Sequence, residues 1–110
     1  EGIETLKNLQ FFAISHNRIT TLAPCQHVTA LLELYCSNNL IPTEKDALFL
    51  RDLPKLIILD LAGNPCVTVE SYRSYVVFQV KRLKVLDGTS IDASEIQSSR
   101  DTFAGRISAE

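Results

Sequence analysis

A recurring pattern of apolar and polar positions organises most of the chain. In an eleven-residue frame, apolar side chains occupy positions 1, 4 and 6, and asparagine occupies position 9. Three stretches fit this frame: LQFFAISHNRI, LLELYCSNNLI and LIILDLAGNPC. They begin at Leu9, Leu31 and Leu56, and a partial fourth begins at Leu83, so the starts lie 22, 25 and 27 residues apart. A spacing in this range indicates tandem structural repeats.

The spacing inside each frame predicts a short β-strand. Positions 4 and 6 flank one solvent-facing residue, which is the period of a strand with one buried face. A strand this short is not stable alone, so its apolar side chains form a core only when repeats stack. We therefore expect about four short strands to lie side by side in one parallel sheet.

The asparagine at position 9 stands where each strand ends and the chain turns away. Its side chain carries both a donor and an acceptor, so a buried asparagine can satisfy backbone groups of two neighbouring turns. We expect Asn17, Asn39 and Asn64 to form a ladder of this kind.

The segments between the frames return the chain along the opposite side of the sheet. PTEKDALFLRDLP predicts a short helix with Thr43 as its N-cap. Residues 68–83 predict a longer helix capped by Thr68, with Tyr72 and Val76 on its apolar stripe. CQHVTA, at residues 25–30, is long enough only for a 3₁₀ turn or a single helical turn.

The end of the repeat region resembles a known cap. Asn64-Pro65, then Tyr72-Arg73 on a helix, then LKVLDG at 83–88 is similar to the C-terminal cap of intracellular leucine-rich repeat proteins. That class includes the spliceosomal A-prime protein, a nuclear regulatory subunit of protein phosphatase 1 and the outer-arm dynein light chain. The resemblance implies a curved α/β solenoid with helices and turns on its convex side, which binds proteins on its concave sheet. It also implies a structural role for Arg73.

The resemblance covers about residues 3–92, and we expect residues 1–92 to hold the repeats and their cap. Ile3-x-x-Leu6 matches the tail of the first frame, and the chain has no initiator methionine. We therefore expect the C-terminal part of a longer solenoid, with an uncapped apolar edge that favours self-association.

Residues 93–110 are expected to form a terminal helix or tail. Asp92 and Glu95 have the spacing of a capping box. Ile96, Phe103 and Ile107 form an apolar stripe, which either packs over the last repeat or docks another part of the parent protein.

The outward strand positions are the candidate binding residues. Stacking predicts one row of Phe11, Glu33, Ile58 and Val85, and a second row of Ala13, Tyr35, Asp60 and Asp87. The candidate partner-binding residues are Phe11, Glu33, Tyr35, Ile57, Ile58, Asp60 and Val85. An apolar and aromatic patch with acidic neighbours is typical of a protein interface. The alternative is a structural end-cap of a longer repeat array, with no partner of its own.

Composition and charge narrow the functional classes. Hydrophobic residues make up 45% of the chain and charged residues 22%, which is typical of a globular domain. No apolar run approaches the roughly 20 residues of a membrane span. The N-terminal EGIETLKNL lacks the features of a secretory signal, and three cysteines favour a reducing environment. We therefore expect an intracellular protein, cytoplasmic, nuclear or ciliary.

Other kinds of site are not favoured. Lys81, Arg82 and Lys84 form a small basic cluster, but the net charge is −2 and no stacking aromatics accompany it, so nucleic-acid binding is not expected. Cys25-x-His27 supplies only one close pair of potential zinc ligands. No phosphate-binding loop or hydrolase motif is present, so we expect neither catalysis nor a cofactor.

Overall fold

The computed structural model describes residues 8–109, with side chains described as far as residue 104. Within this range five short strands form one sheet in the order β1-β2-β3-β4-β5. The strands are β1 Phe11–Ala13, β2 Glu33–Tyr35, β3 Ile58–Asp60, β4 Val85–Leu86 and β5 Thr89–Ser90. The first four pair in parallel, so the predicted parallel α/β solenoid is confirmed.

The register follows the frame. The first predicted row is confirmed, because Phe11 pairs with Glu33, Glu33 with Ile58, and Ile58 with Val85. Position 4 of each frame forms the inward row beside it, which consists of Phe12, Leu34, Leu59 and Leu86. Successive side chains of each strand therefore point alternately to the core and to the outer face of the sheet.

The fifth strand, which the frame did not predict, runs antiparallel to β4. The two residues between these strands, Asp87 and Gly88, have φ values of 53° and 81°. A two-residue hairpin of this kind requires positive φ at both positions, and Asp-Gly is a preferred sequence for it. The sheet thus ends in a hairpin after its four parallel strands.

The return segments contain less α-helix than the sequence predicted. The 3₁₀ helices are Ala23–His27, Glu44–Leu50 and Pro65–Thr68, and the α-helices are α1 Tyr72–Gln79 and α2 Ala93–Ala109. The 3₁₀ turn expected around residues 25–30 is confirmed, although it begins at Ala23.

Two helix predictions are corrected. Glu44–Leu50 is 3₁₀, whose rise of about 2.0 Å per residue lets a short segment span further than an α-helix would. Thr43 precedes it without a side-chain capping bond. Thr68 does not cap α1. Its hydroxyl donates to the Pro65 carbonyl at 2.8 Å, and Val69 has an extended backbone that separates the 3₁₀ helix from α1.

The asparagine ladder is confirmed in its bonds. The Asn64 Nδ2 donates to the carbonyls of Cys36 and Leu61, both at 2.9 Å, and its Oδ1 accepts from the Ile41 amide at 3.1 Å. The Asn39 side chain makes the equivalent bonds one repeat earlier. Asn17 differs from the expectation because it is exposed, with its side chain bound within its own turn.

Frame position 8 has left-handed backbone in all three repeats, with φ of 60° at His16, 57° at Asn38 and 79° at Gly63. Asparagine, histidine and glycine tolerate this conformation better than most residues. At Gly63 a Cβ would also lie 2.3 Å from the Asn38 Oδ1. Glycine therefore suits the turn after β3, because it adopts this conformation without strain and leaves room for the Asn38 side chain.

The terminal helix packs on α1. Phe103 is buried, and its ring lies 5.5 Å from that of Tyr75 and 5.9 Å from that of Phe78, measured between centroids. The Asp92 Oδ1 accepts a hydrogen bond from the Glu95 amide at 2.8 Å, which is half of the predicted capping box. The Glu95 carboxylate instead binds Arg73, whose guanidinium also donates to the Leu86, Thr89 and Ser90 carbonyls. The Ile107 side chain lies outside the described range.

Candidate protein-binding face

The parallel strands place six of the seven predicted binding residues on one surface. We call this surface the concave patch; it consists of Phe11, Glu33, Tyr35, Ile58, Asp60 and Val85. Phe11 is 60% exposed, the most exposed large apolar side chain in the described part of the chain, and the other five are half-buried. An apolar surface with embedded carboxylates therefore faces outward from the sheet.

Tyr35 joins the two rows of the concave patch. Its hydroxyl donates to the Glu33 Oε1 at 2.5 Å, and its ring centroid lies 6.2 Å from that of Phe11 with the planes tilted by 44°. The bond to Glu33 raises the pKa of the Tyr35 phenol above its ordinary value, and the nearby charge of Asp60 acts in the same direction. The phenol is therefore a neutral donor held in place by a carboxylate.

The second row ends at Asp60. The Asp60 Oδ1 accepts from the Ala62 amide at 3.0 Å, which fixes that carboxylate at the end of β3. Asp87 lies one residue beyond the paired part of β4, and its side chain accepts from the Leu61 amide and the Tyr72 hydroxyl, both at 2.7 Å. Burial of the Tyr72 phenol and its hydrogen bond to Asp87 raise the pKa of Tyr72 above its ordinary value. Asp87 thus ties the last turn to α1.

Ile57 lies just before β3 and is half-buried. Its side chain lines a groove with Pro54, Lys55, Leu83 and Lys84, where the chain approaches β3 and β4. Ile57 therefore lies at the border of the concave patch, between the outer strand face and this groove.

The three cysteines lie in the core. Burial raises the pKa of Cys25, Cys36 and Cys66 to about 11, 12 and 11, so all three are neutral thiols near pH 7. Cys25 is buried, whereas His27, two residues further along the chain, is exposed. Across residues 8–109, no three His, Cys, Asp or Glu side chains come together as metal ligands. The thiols act as small apolar groups in the packing.

The basic surface near the last repeat is larger than the cluster of Lys81, Arg82 and Lys84 that the sequence predicts. Arg51 and Lys55 line the same groove region as Lys81, Arg82 and Lys84. A signal was present, because Lys55 and Arg82 each stand immediately before position 1 of consecutive frames. Equivalent frame positions lie next to each other when repeats stack.

No helix in the described range is long and apolar enough to cross a membrane.

Proteins with similar sequences and proteins with similar structures both support the fold. Human cilia- and flagella-associated protein 410 is 34% identical over 84% of this chain, and human U2 small nuclear ribonucleoprotein A' is 29% identical over the full length of this chain. The chain spans 37% and 44% of those two relatives, respectively. It thus corresponds to less than half of each.

Solved structures share the architecture. The Drosophila melanogaster SNF/U2A' complex contains a chain that matches 90% of this one with a TM-score of 0.66 at 23% identity; the match covers 71% of that chain. The Mex67 leucine-rich repeat domain from Chaetomium thermophilum matches 86% with a TM-score of 0.69 at 22% identity, over 68% of its length. The leucine-rich repeat family profile matches residues 1–110, so this chain belongs to the leucine-rich repeat family.

Proposed function

We propose that this chain is a non-catalytic protein-interaction module that binds its partner through the concave patch. One observation carries the proposal: the exposed Phe11 ring lies beside the Tyr35 ring. Phe11 also stands in the same row of the sheet as Ile58 and Val85. Aromatic side chains are enriched at protein interfaces relative to the rest of the protein surface. Covering this surface would remove apolar area from water without reorganising the sheet.

The charges of the patch favour a partner with basic or polar groups. Glu33 and Asp60 are half-buried within the apolar surface, and the Glu33 Oε1 already accepts from Tyr35. A partner that covers these carboxylates without donating to them would leave buried charges unpaired, at a cost of several kcal/mol. We therefore propose that lysine, arginine or amide groups of the partner meet Glu33 and Asp60, while its apolar side chains contact Phe11 and Ile58.

The relatives lend support of a coarser kind. The U2A' chain forms a complex with SNF in the matched structure, and the names of the relatives associate them with cilia or with a nuclear ribonucleoprotein. We propose an intracellular location for this protein too.

A structural end-cap is the second candidate. It is favoured by the way β5, α2 and Arg73 cover the last repeat, since such covers close solenoids. Under this hypothesis the concave patch has no partner.

The experiment compares affinity capture from cell lysate by wild type, Tyr35→Ala/Ile58→Ala and the control Leu40→Ala/Leu48→Ala. The control removes two exposed leucines that lie outside the concave patch. We expect at least one protein to be lost only from the concave variant. Calorimetry with that purified protein should then show an affinity reduced about 30-fold or more.

Both variants should remain folded by circular dichroism and within about 1 kcal/mol of each other in urea unfolding. If folded wild type and both variants capture identical proteins, the binding proposal is wrong and the end-cap hypothesis is favoured.

A further inference from the structure

The groove that Ile57 borders extends outside the concave patch, where the chain approaches β3 and β4. It is formed by two adjoining cavities of about 700 and 470 Å³ that share Pro54, Lys81 and Arg82. The first extends to Arg51 and Phe78, and the second extends to Lys55, Ile57, Lys84 and Ile96. We call this surface the basic groove.

The basic groove concentrates positive charge in a chain whose net charge is −2. Its cationic residues are Arg51, Lys55, Lys81, Arg82 and Lys84. They are five of the chain's 11 lysines and arginines, whereas Asp52 is the single lining residue among its 13 acidic ones. The local field is therefore opposite in sign to that of the whole chain.

These cations are not neutralised within the described structure. Among the side chains of residues 8–104 the one ion pair is that of Arg73 with Glu95, which lies outside the groove. Partial burial lowers the pKa of the Lys81 ammonium, and the positive charges of Arg100 and Arg51 act in the same direction. An anion in the groove would relieve this repulsion.

The walls between the cations are apolar. Leu53 and Leu83 are buried beneath the groove, whereas Ile57, Phe78 and Ile96 are half-buried at its surface. A ligand that fits this surface carries negative charges and at least one apolar group.

We infer that the basic groove binds an acidic peptide segment of a partner protein. Glutamates or aspartates of the peptide pair with Arg51, Lys55, Arg82 and Lys84, and an apolar side chain lies against Pro54 and Ile57. This surface borders the concave patch at Ile57 but shares none of the six residues that define the patch, so the inference does not depend on the proposed function.

The groove chemistry favours a peptide over nucleic acid. Single-stranded nucleic acids bind basic grooves largely by stacking bases on aromatic rings. Phe78 is the one aromatic residue lining the groove, and the Lys81 Nζ lies 4.1 Å from its centroid while Phe103 packs against it at 5.9 Å. The face of this ring is therefore already occupied.

The test measures fluorescence anisotropy of a fluorescein-labelled peptide with glutamates around a central Leu-Phe pair, at about 150 mM salt. The chain is compared with Arg51→Glu/Arg82→Glu and with the control Arg18→Glu/Lys45→Glu. Arg18 and Lys45 are exposed and lie outside the groove, so both variants change the net charge equally. We expect the groove variant to bind at least about tenfold more weakly and the control to stay within about threefold.

Two further probes complete the test. Replacing the peptide's glutamates by glutamines, or its Leu-Phe pair by serines, should each weaken binding about tenfold, and Tyr35→Ala/Ile58→Ala should leave it unchanged. Absence of saturable binding to wild type, or equal loss in the control variant, overturns the inference. So does tighter binding of labelled polyuridine than of the peptide, or indifference to loss of the apolar pair.

Discussion

The first and second repeats share one frame but bury it to different depths. In the second repeat, frame positions 1, 4, 6 and 11 are all 0% exposed; they are Leu31, Leu34, Cys36 and Ile41. In the first repeat the same positions are only half-buried; they are Leu9, Phe12, Ile14 and Ile19. Because the side chains are equivalent in type, the difference arises from their neighbours: β2 pairs on both sides, and β1 has one described partner.

The last repeat completes the comparison. Leu86 on β4 and Val76 on α1 are 0% exposed, although no further parallel strand follows β4 in the described residues. A hairpin strand, the terminal helix and the Arg73 guanidinium occupy the place of a next repeat there. Burial at the end of a solenoid thus depends on a different set of contacts from burial within it.

The largest expected effect compares one substitution at one frame position. Leu31→Ala should lower the free energy of unfolding by about 3–4 kcal/mol, because it opens a cavity in a fully enclosed site. Leu9→Ala should cost about 1–2 kcal/mol, because Leu9 is only half-buried. Urea unfolding followed by circular dichroism measures both. Equal losses would mean that the first repeat is as well enclosed as the second.

That comparison also bears on self-association. The apolar edge expected at Ile3 and Leu6 lies outside the described residues, so self-association through it stays a prediction. Analytical ultracentrifugation at increasing concentration tests it, and a monomer throughout would count against it.

The second prediction contrasts two members of the asparagine ladder. Asn64→Ala should cost about 2–3 kcal/mol, because two buried carbonyls and the Ile41 amide lose their partner. Asn17→Ala should cost less than about 1 kcal/mol, because Asn17 is exposed and water can replace its bonds. Comparable losses in urea unfolding would show that the outermost rung is as important as the inner one.

The frame alone was sufficient to predict the parallel sheet and its register. Apolar positions such as Leu34 and Leu59 recur so regularly that only one alignment of neighbouring strands buries all of them. The same alignment places Phe11, Glu33 and Ile58 in one row. The hydrogen-bonding role of Asn39 and Asn64 followed from the same regularity, because one turn geometry recurs in each repeat.

The irregular segments could not be predicted in the same way. Thr68 is a good helix-capping residue, yet Pro65 starts a 3₁₀ turn that uses its hydroxyl first. Glu95 has the spacing of a capping box, but a guanidinium more than 20 residues away competes for its carboxylate. In both cases a contact set by tertiary structure outweighed a local preference. The role of the concave patch in binding remains a prediction.

A third prediction concerns the C-terminal end. Arg73→Lys should cost about 1–2 kcal/mol, because lysine keeps the charge but cannot reach the Leu86, Thr89 and Ser90 carbonyls together. The pair with Glu95 adds little to this estimate, since both side chains are over a quarter exposed.

Native-state hydrogen exchange locates the effect. Amides of β5 and α2 should lose protection in Arg73→Lys before those of β2, whereas the exposed control Arg18→Lys should change neither. Uniform loss across all strands would show that the last repeat and its cover do not open separately.

The smallest expected effect is a pH dependence at the start of α2, which the middle of the solenoid should not share. The bond from the Glu95 amide lowers the pKa of the Asp92 carboxyl, with a further bond from Ser94. Because the folded-state pKa lies below the unfolded one, this capping contribution is present above about pH 4 and is lost as the pH falls through the folded pKa.

In NMR spectra the Glu95 amide should therefore shift between pH 5 and about 2. Asp92→Asn should remove that titration while keeping an N-cap acceptor. A Glu95 amide that shifts equally in both proteins would assign the acid sensitivity to another group, and the Asn39 amide in the middle of the solenoid provides the internal reference.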